Sequence, residues 1–543
     1  MTPEIHDHVV VGSGISGAAA AQTLIDGGAR VLMLDGGRRD TTYDGLVPER
    51  DFLSLRATDP EQHRYFLGDR FEGVPWGAAA HTLMPPRQHI TRDTERWLPF
   101  GGGAFSAMES LGYGGLGAGW GAGCSVYTPD ELREIGLDPA VVGPAYETIG
   151  RRIGLAAEPD DLTPYCGASL ATLQPPLAMD GSIAALHAAY VKQRKGLRRR
   201  GVAMGKMPMA VLTRPLGDRA ATPYTDMDFW ADHGRAVYRP WMTVDALRRR
   251  EGFEYRDGLL VTHFEEHANH VAVHARRLDD GAAEVVRARR LVLGTGALGT
   301  ARIVLRSRPG ENETPLLTNA YSIAPCLHLR RIGRALEPAR TSLGQIEMIL
   351  DPKGDGRNVR MVSIYTYRSL LLFKLIKEAP LALADGREIL RALVPSLLLV
   401  TMNHPDRMAP GKRLRRIPDA SSPTGDRLEA RYSRSAQERA EDEACENRIL
   451  AAMGMLGAPE LKRQSMPDGS SVHYAGTLPF ADAGSGAETS HTLAPDGRLA
   501  GTRRVYVVDG SGFRALPANG LTFTLMAWAH VVAQRLAARG GDA

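Results

Sequence analysis

Apolar and polar positions divide the chain into segments of recognisable period. In "HVVVGSGISGAAAAQTLIDGGARVLMLDGG" (8–37), Val9-Val10-Val11 is a continuous apolar run suited to a strand buried on both faces. A glycine turn follows, then helix formers from Ala18 to Ile25, then a second apolar strand, Val31-Leu32-Met33-Leu34. Residues 255–307 predict alternating and apolar strands joined by the "LDDG" turn, then strand Leu291-Val292-Leu293, turn Gly294-Thr295-Gly296 and a helix from Thr300. "GQIEMIL" (344–350) and "RNVRMVSIYTY" (358–367) read as antiparallel strands joined by "DPKGDG". Residues 503–537 give a strand at Val505–Val508, a Gly/Pro loop and a helix beginning near Gly520. In 369–400 the apolar runs are broken by Lys374, Lys377, Glu378, Asp385, Arg387, Glu388 and Arg391, so the segment cannot span a bilayer. Two amphipathic helices covering a sheet are expected there, with a lid for a lipophilic substrate as the alternative.

At 543 residues the chain exceeds one compact core, and two packed domains are expected. Five segments result. Residues 1–160, 246–315 and 471–543 build a dinucleotide domain, 161–245 a lid or substrate-domain segment, and 316–470 a substrate domain. With 43% hydrophobic and 24% charged residues the composition is globular, and a net charge of +4, from 66 Lys and Arg against 62 Asp and Glu, is too even to imply a nucleic-acid partner. The basic clusters at 192–200 and 411–419 sit among acids and read as solvated faces, so no nucleic-acid partner is expected. Cys124, Cys166, Cys326 and Cys445 are scattered, with no CxxC pair and no zinc spacing. No basic-then-apolar leader precedes the first strand. A cytoplasmic location and no metal are expected.

Gly12-Ser13-Gly14-Ile15-Ser16-Gly17 matches G-x-G-x-x-G between a strand and a helix. Gly12 permits the turn, Gly14 lets backbone approach a pyrophosphate, and Gly17 lets helix and strand pack closely. Asp35 ends the second strand, where a carboxylate accepts the hydroxyls of an adenosine ribose, and Gly36 follows it. No second such unit occurs between 130 and 540, which argues against a two-dinucleotide reductase. "GYGGLGAGWGAGCSVYTPDEL" (112–132) is too glycine-rich for regular structure and suits backbone lying against something flat. Trp120 within it suits either a cover for that surface or a core. Asn519 suits either a helix N-cap or a site amide. His473, beside the turn Ala475-Gly476-Thr477, suits either a satisfied core imidazole or a base, and nothing local decides.

Four segments in order, "VVVGSGISG", "GYGGLGAGWGAG", "RRLVLGTGALGTARIVLRS" and "VHYAGT…VYVVDGSGFRALPANGLTFT", make the chain resemble the glucose–methanol–choline oxidoreductases, FAD-dependent enzymes acting on alcohols. Ala301 and Gly520 stand where that family usually has proline. The resemblance implies an α/β fold: a Rossmann-type FAD-binding domain, like that of p-hydroxybenzoate hydroxylase, and a second α+β substrate domain on an antiparallel sheet. It implies an active-site pair, His473 and Asn519, with the imidazole taking the hydroxyl proton while hydride leaves for flavin N5, and the amide steadying the alkoxide. Cofactor contacts are expected from Gly12, Ser13, Gly14, Ser16, Gly17, Asp35, Gly36, Gly114, Gly115, Gly119, Trp120, Gly121, Val261, Thr295, Gly296, Asp509, Gly510, Gly520, Leu521 and Thr522. Gly119 occupies the position of the histidine that attaches FAD covalently in some relatives, so non-covalent FAD is expected. Leu116 and Gly117 replace the usual hydroxyl residues, and "GTLPF" lacks the common Arg-Met. The implied partners are an alcohol substrate and O2 or another electron acceptor. Gln345, Glu347, Tyr365 and Tyr367 suit a polar pocket for a sugar-like, aminocyclitol or other natural-product alcohol. The alternatives are a sterol- or terpenoid-like alcohol, or a lyase of the same fold.

Overall fold

The computed structural model describes residues 4–539 apart from 74–82, 102, 167–170, 172, 309, 367–388, 390 and 482–490. The first strand, Ile5–Val11, pairs in parallel with Val31–Leu34 on one side and with the second half of Ala283–Leu293 on the other. Phe253–Arg256 adds in parallel beyond Val31–Leu34, and Val505–Val507 pairs in parallel with Leu291–Leu293. The first half of Ala283–Leu293 turns instead to an antiparallel hairpin, Leu259–Glu266 and Val271–Arg277. The central strands are apolar on both faces because helices cover both. Helix Ile15–Asp26 packs against the last helix, Thr522–Ala538, and Val9, Val10, Leu291 and Val507 are fully buried between the layers.

The second sheet is antiparallel throughout, in the order Gln464–Ser465, Ala320–Leu327, Leu397–His404, Arg360–Thr366, Ile346–Leu350, Val202–Lys206. One face, with Ala324, Met348, Val362 and Val400, forms a core with helices Gly181–Arg198 and Ala436–Met455. Strand alternation sends Glu347, Ser363 and Thr401, cross-strand neighbours in one row, to the other face.

The fold class read from the sequence is the one observed. Element ends differ: the helix expected from Thr300 begins at Gly296, and the one expected near Gly520 begins at Thr522. The helical expectation for 369–400 lies mostly outside the described residues. Its end departs from it, since Leu397–Val400 is strand, with Leu398 and Val400 buried in the second core. A short apolar run bounded by proline serves a buried strand as well as a helix, and the sheet supplies partners on both edges. Among the described residues no helix is long and apolar enough to cross a membrane.

Candidate active site

A cavity of about 460 Å3 runs from the first glycine loop to His473. Three helices point their N-termini at it, at Ile15, Gly296 and Thr522, and none has a side-chain hydrogen bond on its N-cap. Orphan N–H groups and the aligned peptide dipoles make each end attractive to an anion. Glycine brings the backbone to the cavity's edge. A Cβ built on Gly14 would meet nothing nearer than 3.9 Å, and one on Gly121 or Gly296 nothing within 4 Å. On Gly17 it would lie 1.9 Å from the Gly12 carbonyl oxygen, the close helix–strand packing expected of the third glycine. The lining suits a dinucleotide: bare backbone and helix ends for phosphates, with Ile15, Leu116, Val261 and Trp120 for rings.

Of the residues expected at a cofactor, Gly12, Ser13, Gly14, Ser16, Asp35 and Gly36 border the cavity. So do Gly115, Gly119, Trp120, Gly121 and Val261, and from the later segments Thr295, Gly296, Asp509, Gly510, Leu521 and Thr522. Gly17, Gly114 and Gly520 do not. Gly17 is buried against Gly12, and Gly114 is turned toward Trp241, with its N–H donated to Ser13 Oγ (2.8 Å). Trp120 both lines the cavity and packs on the main core, its indole N–H held by the Tyr238 carbonyl at 2.7 Å.

Asp35 lies at the cavity's edge and is held there by donors of the protein. Its carboxylate accepts the Ser13 hydroxyl (2.5 Å), the Ser13 N–H (3.2 Å) and the Tyr255 hydroxyl (2.9 Å). A buried carboxylate needs donors, and the protein supplies these itself; burial still raises its pKa above the usual carboxylate value. Ser13 Oγ, donating to Asp35 and accepting from Gly114, ties both glycine loops to the second strand. Asp509 plays the same part at the other end, accepting from Ser511 and from Thr300 Oγ1 (2.5 Å) across to the helix at Gly296.

His473 borders the cavity, and its position follows from strand register. Leu317–Thr318 pairs antiparallel with Tyr474–Ala475, which brings Asn319 beside His473, where Asn319 Oδ1 lies 2.9 Å from His473 Nδ1. The Asn319 amide nitrogen donates to the carbonyls of His404 (2.8 Å) and Pro517 (3.0 Å). Carbonyls accept only, so the amide is held with its oxygen toward the ring, and Nδ1 must carry the proton. Nε2 is then the basic nitrogen. Burial alone pushes the imidazole pKa down to about 4, so the ring is neutral near pH 7. Val472, β-branched, is held at φ 59° immediately before it, a conformation that only the surrounding structure enforces.

The structure does not bring Asn519 to this cavity. Its amide nitrogen donates to Glu131 Oε1 (3.1 Å) and to the Tyr165 carbonyl (3.1 Å), so both N–H groups expected to steady an alkoxide are engaged. The cause is Glu131, whose side chain accepts the Thr128 N–H in a capping box at helix Pro129–Ile135 and is buried there. Burial raises its pKa to about 7, and Asn519 supplies one of the donors that hold it down. The polar pocket expected at 345–367 is likewise not part of the cavity lining. Gln345 is locked to Asp180 by two hydrogen bonds, Glu347 is fully buried without a partner among the described residues, and Tyr367 lies outside them. Asn319, Glu131 and Tyr255 were not found from sequence. Each acts through a neighbour distant in the chain, and no local pattern marks it.

No family description and no curated protein matches the chain. Among solved structures it superposes on pyridoxine 4-oxidase from Mesorbium loti over 98% of this chain and 99% of that one, with TM-score 0.58 and 15% identity. It superposes also on a fungal aryl-alcohol oxidase over 99% and 100%, with TM-score 0.57 and 14% identity. The chain shares their fold. At this identity the likeness concerns architecture, and the chemistry rests on the side chains above.

Proposed function

We propose that the chain is an FAD-dependent oxidoreductase that holds its flavin non-covalently in this cavity and oxidises a primary or secondary alcohol to a carbonyl, with His473 as the base. The observation that carries the reading is the tautomer: Asn319, fixed by two carbonyls, leaves Nε2 of a neutral imidazole as proton acceptor at the cavity. FAD, when bound, supplies the hydride acceptor. The residues that would hold it are the backbone at Gly12–Gly14 and Gly296 and the helix end at Thr522, with Gly119 offering no side chain for a covalent link. His473 takes the hydroxyl proton as the carbon loses hydride, and Asn319 accepts the Nδ1–H throughout, which stabilises the imidazolium that forms. Asn319 is a positioning residue.

The two solved structures are named for oxidases of pyridoxine and of aryl alcohols, which supports an alcohol as substrate. Within that class we infer a sugar-like, aminocyclitol or other natural-product alcohol, and turnover on the panel below decides it. O2 or another acceptor reoxidises the flavin. Four free, buried cysteines accord with a reducing, cytoplasmic setting. Anaerobic mixing with sugars, aminocyclitols, pyridoxine, aryl alcohols and sterols tests the reading. A substrate should bleach the flavin, and His473→Ala should slow bleaching by about 10²–10⁴. Substrate consumed without bleaching supports a lyase and overturns the proposal, as does a variant that bleaches at the parent rate.

A further inference from the structure

The hairpin Leu259–Glu266/Val271–Arg277 turns one face to the core, with Phe264, Val271 and Val273 buried. Its other face carries His263, Glu265 and His267 on one strand and His274, Ala272 and His270 on or beyond the other. His263 stands directly opposite His274, and their rings stack at 4.1 Å with 7° between planes. Glu265 stands opposite Ala272, whose small side chain leaves room in the middle rung. One Glu265 oxygen lies 3.8 Å from His274 Nε2, too far for a hydrogen bond. Two ligands each about 2.1 Å from one ion in tetrahedral geometry lie about 3.4 Å apart, so this spacing is close to what a shared ion requires.

We propose that His263, Glu265 and His274 form a binding site for a divalent transition-metal ion of the zinc type on this hairpin. Their ligand atoms all lie within 4.8 Å of one another. His274 Nε2 is buried and, among the described residues, has no hydrogen-bond partner, so that nitrogen is free for coordination. The ligand form of His263 is set by its neighbour. Thr262 Oγ1 donates its single hydrogen to the His274 carbonyl (3.2 Å), so its 3.0 Å contact with His263 Nδ1 must be an N–H donated to oxygen, which leaves the lone pair on Nε2. Two histidines and a carboxylate from a cross-strand rung and its i+2 neighbour suit an ion with nitrogen and oxygen preference, with a coordination position left for water; binding turns one imidazole about χ2 out of the parallel stack so that both lone pairs meet the ion. The ion would tie together the two strands that present Val261 to the main cavity. No metal was expected from sequence because the ligands are split between strands that only the hairpin register aligns.

The test uses tag-free, flavin-loaded protein titrated with Zn2+ alone by calorimetry and with Co2+ alone by visible absorption. The expected result is one equivalent bound and a tetrahedral Co2+ spectrum. His274→Ala and Glu265→Gln should weaken binding at least about tenfold, as should Thr262→Val, which touches no ligand atom of the ion. Flavin content and turnover should be unchanged in all three, and His267→Ala should bind as the parent does. Parent protein that takes up neither ion at millimolar concentration overturns the proposal, and so do His274→Ala and Glu265→Gln variants that bind as tightly as the parent.

Discussion

Glu347, in the second sheet, is fully buried, and among the described residues neither carboxylate oxygen has a hydrogen-bond partner. Burial, aided by the charge of Asp160, raises its pKa from an ordinary 4.5 to about 8. Between those two values the native state keeps a proton that the unfolded chain has released. Its contribution is therefore fully present below pH 4.5 and is lost as pH rises toward and through about 8. At about 1.4 kcal/mol per tenfold change in proton affinity, the interval corresponds to roughly 4 kcal/mol once some relaxation is allowed. Glu347→Gln keeps the shape and removes the ionisation. With an unfolding entropy of about 1.1 kcal/mol/K for a chain of this length, the variant should melt about 3–4 °C above the parent at pH 9 and with it at pH 5. Thermal midpoints of flavin-saturated protein across pH 5–9 provide the measurement. Midpoints that run parallel across the range would refute the argument, because a carboxylate that costs nothing to ionise is not isolated in the core.

The other expectations concern the cavity. Asn319→Asp places a carboxylate beside His473, favours the imidazolium and should move the acid limb of the kcat/KM profile to higher pH. Asn319→Leu should lower kcat about tenfold or more with flavin retained, and should cost about 1–3 kcal/mol of stability by orphaning the carbonyls of His404 and Pro517. If neither variant moves the pH profile or kcat, Asn319 only packs. Gly14→Ala meets no protein atom nearer than 3.9 Å, so the apoprotein should unfold at the parent temperature while flavin affinity falls at least about tenfold. Gly17→Ala drives a methyl into the Gly12 carbonyl and should lower both, as flavin content and melting will show.

What the sequence disclosed and what it hid divide by range. Gly12, Gly14 and Gly17 were legible because a tight turn between a buried strand and a helix is specified within ten residues. The two strands at 346–366 were legible because alternation and a glycine turn are local too. Asp35 and Asn519 take partners within the protein that no local pattern announces. Which group claims each depends on Tyr255 in one case and on Glu131, nearly four hundred residues earlier, in the other. A buried acid must find donors before any ligand arrives, so the protein's own unpaired carboxylates take precedence over the function their neighbours suggest.

The same demand explains why the His473 ring is well fixed although Asn519 lies elsewhere. His473 needs no second group to fix its tautomer, because carbonyls of His404 and Pro517 fix Asn319 and Asn319 fixes the ring. Both carbonyls belong to segments adjoining a short two-stranded ladder, Asp406–Arg407 with Ala515–Leu516. That ladder joins the chain just beyond the second sheet to the chain just before the last helix. The orientation of the imidazole therefore depends on how the two domains are sewn together, and breaking that ladder should disorder the His473 ring before it disturbs the glycine loop.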